Sequence, residues 1–322
     1  MNKRSRFLNA MDGKKVDRVP TSFFTHSMSP DAQKDNAVSD QLNWFHECNM
    51  DGLCIETDGY MEFPGVFKTL DDWKLIRPHN RDSHYIAGQI DRAGRIAEQI
   101  GDGAVFYMIY TPFSTIKHTI GSETLVTEYY RTAPDIMKDA MKVIEEDNFM
   151  LMDLLKQETD IDGFFVSLQN ADIGRFTPDE YREALTEWDL RLMAHANKLS
   201  AYNITHMCSW TGVPNQLDLW KDYDYKTVNW AVTIEKNMNL QQGRNYFKTG
   251  TTVMGGFCST ENGILYHGTE QEIKAAVKEQ LALAGQQGTI LCGDCSMPVD
   301  IDRKNLRYVV EACEEFAAEN PL

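Results

Sequence analysis

Eight short runs of apolar or β-branched residues recur along the chain, at positions 19–24, 52–55, 104–109, 163–168, 203–207, 227–232, 251–254 and 289–292, and a segment with helical periodicity follows each. Most of these runs are uninterrupted rather than alternating. That is the pattern of strands covered on both faces, as in a parallel sheet clad in helices. Strand and helix in regular alternation give the α/β class. Eight such units in 322 residues predict a closed (β/α)8 TIM barrel rather than an open sheet.

The helices carry their own start signals. Thr177-Pro178-Asp179-Glu180 combines an N-cap threonine, proline at the first helical position and a glutamate three residues after the cap. Thr269 with Glu272 repeats the capping box, and the stretches 134–156 and 178–199 are long and amphipathic. No Gly-, Pro- or Ser-rich linker and no repeat divides the sequence, so one domain over 1–322 with a short N-terminal helix is expected.

Charge narrows the function. The formal net charge is -16, and the sequence has no basic patch. Such a surface repels nucleic acid and anionic membrane. No apolar run approaches the roughly 20 residues needed to span a bilayer, and the basic N-terminus lacks the apolar core of a signal peptide. A cytoplasmic protein is expected. Seven cysteines, an odd number scattered through the chain, read as thiols or ligands rather than disulfides.

In a barrel the C-terminal ends of the strands carry the chemistry. The stretch THMCSWTG, residues 205–212, ends the fifth predicted strand, and Leu291-Cys292-Gly293-Asp294-Cys295 ends the eighth. Residues i and i+2 of a strand share a face, so His206 and Cys208 lie side by side. One imidazole and two thiolates suit zinc, and three protein ligands leave a fourth position open. Zinc holds a bound thiol as a thiolate nucleophile, the chemistry of alkyl transfer to sulfur. The competing reading is a hydrogen-bonded structural histidine beside a buried cysteine. Cys292 competes with Cys295 through its CxxC spacing; Cys295 is preferred because Cys292 directly follows Ile290-Leu291 inside the run.

Other strand-end residues have two readings each. Asp58 orients a substrate, accepts a proton, or simply caps a turn; His26 faces the mouth or a surface loop. Lys117-His118 lines the pocket or is solvated. Asn170 and Asp172 contact a substrate or cofactor, or shape a turn. Trp210 and Trp230 wall an apolar site that suits a corrinoid face or a methylated amine.

The His206-x-Cys208 pair with Cys295, set in Leu291-Cys-Gly-Asp-Cys-Ser-Met-Pro-Val-Asp300, resembles the uroporphyrinogen decarboxylase superfamily. It is most similar to the branch of zinc-containing, cobalamin-dependent methyltransferases of the methylcobalamin:coenzyme M type. Asp17-Arg18-Val19-Pro20, Asp51-Gly-Leu-Cys-Ile-Glu-Thr-Asp58 and Gly174-Arg175-Phe176-Thr177-Pro178 agree in order and spacing. The resemblance implies zinc on His206, Cys208 and Cys295, methylcobalamin presented by a partner corrinoid protein, and a small thiol or folate-type acceptor. It leaves oligomeric state open, a homodimer included.

The sequence also departs from the superfamily. Asn229 stands where an acidic ligand is supplied in this branch, leaving Asn229, Glu235 or substrate as the fourth ligand. The arginine-rich segment that holds an acidic tetrapyrrole is replaced by residues 21–30, which contain no arginine, and Asp294 stands where decarboxylases carry histidine. Uroporphyrinogen decarboxylation is therefore rejected. Two alternatives remain: a metal-free decarboxylase or lyase built on Asp58, and a non-enzymatic barrel that binds a corrinoid or thiol.

Overall fold

The computed structural model describes residues 1–27, 35–60, 62–63, 67–235, 238–247 and 252–321. Thr251 and positions 28–30 of the arginine-free segment lie outside them. Among the described residues seven strands form one parallel sheet in chain order: β1 (Gly52–Ile55), β2 (Ala104–Tyr110), β3 (Gly163–Leu168), β4 (Ile204–Met207), β5 (Thr227–Trp230), β6 (Thr252–Phe257) and β7 (Thr289–Gly293). Helices connect them, among them His84–Gln99, Pro134–Glu158, Thr186–Leu199, Glu270–Ala284 and Arg303–Glu319.

The first of the eight expected strands is not one. Positions 19–24 contribute a single parallel bridge, Thr21 to Leu291 of β7. Around it the chain hydrogen-bonds to both edges of the sheet: Ser22 N–H donates to Leu291 O (3.1 Å), Leu291 N–H to Pro20 O (3.0 Å), and Asp51 N–H to Thr21 O (2.9 Å). The pairing stops there for a chemical reason. Pro20 has no N–H to give, Phe23 N–H meets the Met50 sulfur (3.0 Å), and Phe23 O accepts the Trp44 indole (2.7 Å). Phe24 O accepts from Met297 N–H at 2.7 Å.

Both sheet faces are buried, which is why the strands do not alternate in hydropathy. The faces are nevertheless distinct. Ala104, Phe106 and Met108 of β2 pack inward with Cys54, Phe165, Ile204, Met254, Ile290 and Cys292, whereas Val105, Tyr107 and Ile109 pack outward against the helices. This two-residue period sets the site: Ile204 is inner, Met207 is outer, and His206 and Cys208 continue the inner row.

The N-terminal helix Lys3–Met11 covers the end of the sheet opposite the site. Phe7 packs against Phe106 with ring centroids 5.3 Å apart and the planes tilted by 42°, and Thr252 Oγ1 donates to Ala10 O at 2.8 Å. Gly52 is required there, since a Cβ at that position would lie 2.6 Å from the Phe7 ring. Among the described residues no helix is long and apolar enough to cross a membrane.

Candidate metal centre and its cavity

His206 is 2% exposed and wedged against the rings of Phe24 and Phe165. Its β5 neighbour is Asn229, whose Oδ1 lies 2.5 Å from His206 Nδ1. The Asn229 Nδ2 donates to Met254 O (3.0 Å) and Gly293 O (3.2 Å). With the amide nitrogen so engaged, Oδ1 is the acceptor and the proton sits on His206 Nδ1. The lone pair of Nε2 is then free, and Nε2 lies 3.7 Å from Cys295 Sγ.

Cys295 Sγ is in turn 3.9 Å from Cys208 Sγ. A disulfide needs about 2.05 Å, so these are two separate sulfurs. A tetrahedral ion with Zn–S of about 2.3 Å and Zn–N of about 2.05 Å places its ligands about 3.8 Å (S···S) and about 3.6 Å (N···S) apart. The two separations made by Cys295 Sγ match these values, and all three donor atoms lie within 4.8 Å of one another. Cys208 is the thiol held well below the ordinary range, first because the Cys295 S–H donates to it and next because His206 is adjacent; Cys295 is correspondingly raised.

The other ligand candidates are engaged elsewhere, several of them bracing this trio. Glu235 Oε1 accepts from Ser209 Oγ (2.6 Å) and from Asn215 N–H and Nδ2 (both 3.0 Å), and Asn215 Nδ2 also donates to Cys208 O (3.1 Å). Glu235 thus fixes the loop after Cys208. Asn229 orients His206, so the side-chain oxygens of both fourth-ligand candidates already accept hydrogen bonds. Cys292 is fully buried in β7 among Cys54, Met254 and Ile290, and burial raises its thiol well above the usual range. Asp294 accepts from Val232 N–H (3.0 Å) and Thr233 Oγ1 (2.6 Å), tying the ends of β5 and β7 together.

A cavity of about 510 Å³ opens beside the trio; His26, Asp58, Trp210, His206, Cys208 and Cys295 are among the residues lining it. His26 Nδ1 is 2.9 Å from Asp58 Oδ1, and Asp58 Oδ2 accepts from Ser27 N–H (2.6 Å). Trp210 is 60% exposed at the mouth, its indole N–H donating to Glu123 Oε1 at 3.1 Å. His118, also on the wall, is pushed down to about 4 by burial and by Lys117. Asn170 is not brought to the cavity: its side chain lies between Ser114 Oγ (3.0 Å) and Arg175 Nη1 (2.9 Å), and its φ of 72° makes it the turn residue after β3. Trp230 is buried in the outer core.

Sequence reasoning passed over Glu56. It is 1% exposed, neither carboxylate oxygen has a hydrogen-bond partner, and Oε2 lies 3.8 Å from His26 Nδ1. Burial pushes this acid up to about 8, against the pull of His26. Glu56 in turn is the main cause that raises His26 to about 9. The two-residue period gives the missing signal: Cys54 is inner, so Glu56 continues the same row.

A family model described as uroporphyrinogen decarboxylase (URO-D) matches residues 52–316. No curated protein sequence matches the chain. Among solved structures, a methyltransferase from Methanosarcina mazei superposes with a TM-score of 0.74 at 17% identity, over 98% of this chain and 99% of that one. A B12-independent methionine synthase from Shewanella sp. W3-18-1, solved with selenomethionine, gives 0.55 at 14%, over 94% and 98%. A β-mannanase from the blue mussel Mytilus edulis gives 0.51 at 10%, over 93% and 92%. At such identities the likeness is one of fold.

Proposed function

The chain belongs to the uroporphyrinogen decarboxylase family, and on that footing we propose that it is a zinc-dependent methyltransferase, moving a methyl group between a corrinoid carried by a partner protein and a thiol or folate-type acceptor. We read its curled sheet as a (β/α)8 barrel whose first strand is reduced to Thr21. The observation that carries the proposal is the convergence of His206 Nε2, Cys208 Sγ and Cys295 Sγ on the wall of an open cavity. The methyltransferase and methionine synthase of the same fold agree with it.

The donor set fits zinc in kind and spacing, and Asn229 presents the histidine in the tautomer a metal needs. Bound there, zinc supplies the positive charge that keeps an acceptor sulfur deprotonated at neutral pH. His206, Cys208 and Cys295 hold the ion from one side, leaving the cavity side for substrate. His26 and Asp58 keep a hydrogen-bonded acid–base pair at the cavity edge. Trp210 offers an apolar face at the mouth, where a corrinoid presented by a partner would dock. The metal-free alternative has less support, because both Asp58 oxygens already accept hydrogen bonds from His26 and Ser27.

Metal analysis is the direct test. Protein purified without added zinc is expected to hold about one zinc per chain, and His206→Ala and Cys208→Ala to lose it. Full zinc in both variants would overturn the assignment. X-ray absorption at the zinc edge, before and after adding a thiol, should show one more sulfur neighbour.

A further inference from the structure

Away from the thiols, the same cavity has an acidic wall. Glu62 lines it at 4% exposure, and behind Glu62 stands Asp147, 1% exposed, from the helix Pro134–Glu158. Tyr85 OH lies 3.4 Å from Glu62 Oε2, and His79 N–H donates to Asp147 Oδ1 at 2.8 Å. The other two oxygens, Glu62 Oε1 and Asp147 Oδ2, are buried with no donor from any other residue, and the two carboxyl groups hydrogen-bond only each other, through a shared proton. The His79 ring lies between Phe63 and Tyr85, with Nε2 3.0 Å from Glu62 O. That contact to a carbonyl makes Nε2 the donor and leaves Nδ1 as an acceptor. Ligand atoms of Glu62, Asp147 and His79 all lie within 4.8 Å of one another.

Two buried carboxylates side by side need a proton or a cation between them. Without a ligand they need the proton: burial, and then Asp147, raises Glu62 well above the carboxylate range, and burial raises Asp147. None of the described residues lining the cavity is a lysine or arginine. Lys117, buried nearby, is engaged with Gln169 and Glu123. His26, which also lines the cavity, is already engaged by Asp58 and Glu56, so the anionic end of a sulfonate or carboxylate substrate would find no spare counter-charge beside Glu62.

We propose that Glu62 and Asp147, with His79, recognise a primary alkylammonium group, so that the molecule entering the cavity carries a cation at one end and its reacting sulfur or methyl group at the other. The two carboxylates accept from the N–H donors of such a group at about 2.8 Å each, with the His79 ring beside them. Tyr60, Tyr85 and Leu151 on the same wall give its alkyl chain an apolar and aromatic surface. An ammonium replaces the shared proton with one unit of charge. The location of the reacting end rests on the methyltransferase reading; the ammonium site does not.

The test separates the two. Calorimetric titration of the full-length protein with n-butylammonium, n-butanol and butyrate compares one alkyl chain with three head groups. The cation is expected to bind at least about tenfold more tightly than the other two, because a buried charge pair is worth at least that. In buffers of different ionisation enthalpy it should release about one proton per ligand bound, the one it displaces. Glu62→Gln and, independently, Asp147→Asn should reduce the preference to about threefold or less while keeping the wild-type unfolding transition. His206→Ala should keep the preference, so that failure of the zinc assignment leaves this result standing. Equal affinity for the three ligands, tighter binding of butyrate, a preference that survives both acid substitutions, or a divalent metal held by wild type and lost from Glu62→Gln would overturn the proposal.

Discussion

Strand β1 is four residues long and has a buried carboxylate just beyond each end. Asp51, before it, is wholly buried and accepts from Arg6 Nη1 (2.7 Å), Arg18 Nη1 (2.7 Å), Arg18 Nη2 (3.1 Å) and Thr21 N–H (2.9 Å). Glu56, after it, is as deeply buried and accepts from no donor. The same polypeptide thus completes its charge pairing at the end closed by the N-terminal helix and leaves it incomplete at the end that opens on the thiols. In barrels the first end belongs to stability and the second to chemistry. Unmatched buried acids cost free energy and are kept where their perturbed protonation is useful.

The largest expected effect tests the closed end. Asp51→Asn removes the buried carboxylate that Arg6 and Arg18 share, leaving Arg6 only the half-exposed Asp17 and Arg18 only the exposed Glu314, and should destabilise the fold by about 3–5 kcal/mol, read as a shift in the urea unfolding curve. Zinc content of the folded fraction should stay at wild-type level. A loss under about 1 kcal/mol would mean that the closed end is not where charge pairing supports the fold.

At the open end, Asn229→Ala frees the His206 ring and removes the acceptor that fixes its tautomer. Outer-sphere partners of this kind are worth about 10–100-fold in metal affinity, or about 1.4–2.7 kcal/mol. Competition with a chromogenic chelator measures it. An unchanged zinc affinity would show that His206 needs no orienting partner and would refute the tautomer argument.

The class of fold and the His206–Cys208 pair were legible because they follow from local periods, apolar runs alternating with helices and one histidine and one cysteine two residues apart, and Cys295 was legible from its place at the end of the last predicted strand. What was not legible depends on partners from distant segments. The first run, 19–24, has strand composition, yet Trp44, Met50 and Met297 take its backbone groups. Asn229 looked like a defective ligand because its role is visible only when Met254 and Gly293 are seen to occupy its nitrogen. Asn170, read as a substrate or cofactor contact or as a turn residue, has the turn conformation and is held by Ser114 and Arg175, and the sequence alone did not choose between the two. Glu56 was hidden between Cys54 and Asp58, since nothing in a sequence says which buried acid will lack a partner.

The smallest effect is the most specific to the comparison. Folded Glu56 holds its proton to about pH 8 against 4.5 for the ordinary side chain, and His26 to about 9 against 6.5. Both folded values are raised, so these two groups hold more protons in the folded chain than in the unfolded one between pH 4.5 and about 9. The stability these groups contribute is full below the unfolded values and is lost as pH rises through the folded ones, by at most about 1.4 kcal/mol per pH unit for each proton. Glu56→Gln removes one titrating group and the main cause that raises the other. Its unfolding midpoint in urea should therefore fall less steeply from pH 6 to pH 9 than that of the wild type, and the variant should be the more stable of the two at pH 9. Parallel curves for the two proteins would mean that Glu56 does not hold a proton in this window, and the contrast with Asp51 would then reduce to a difference in packing.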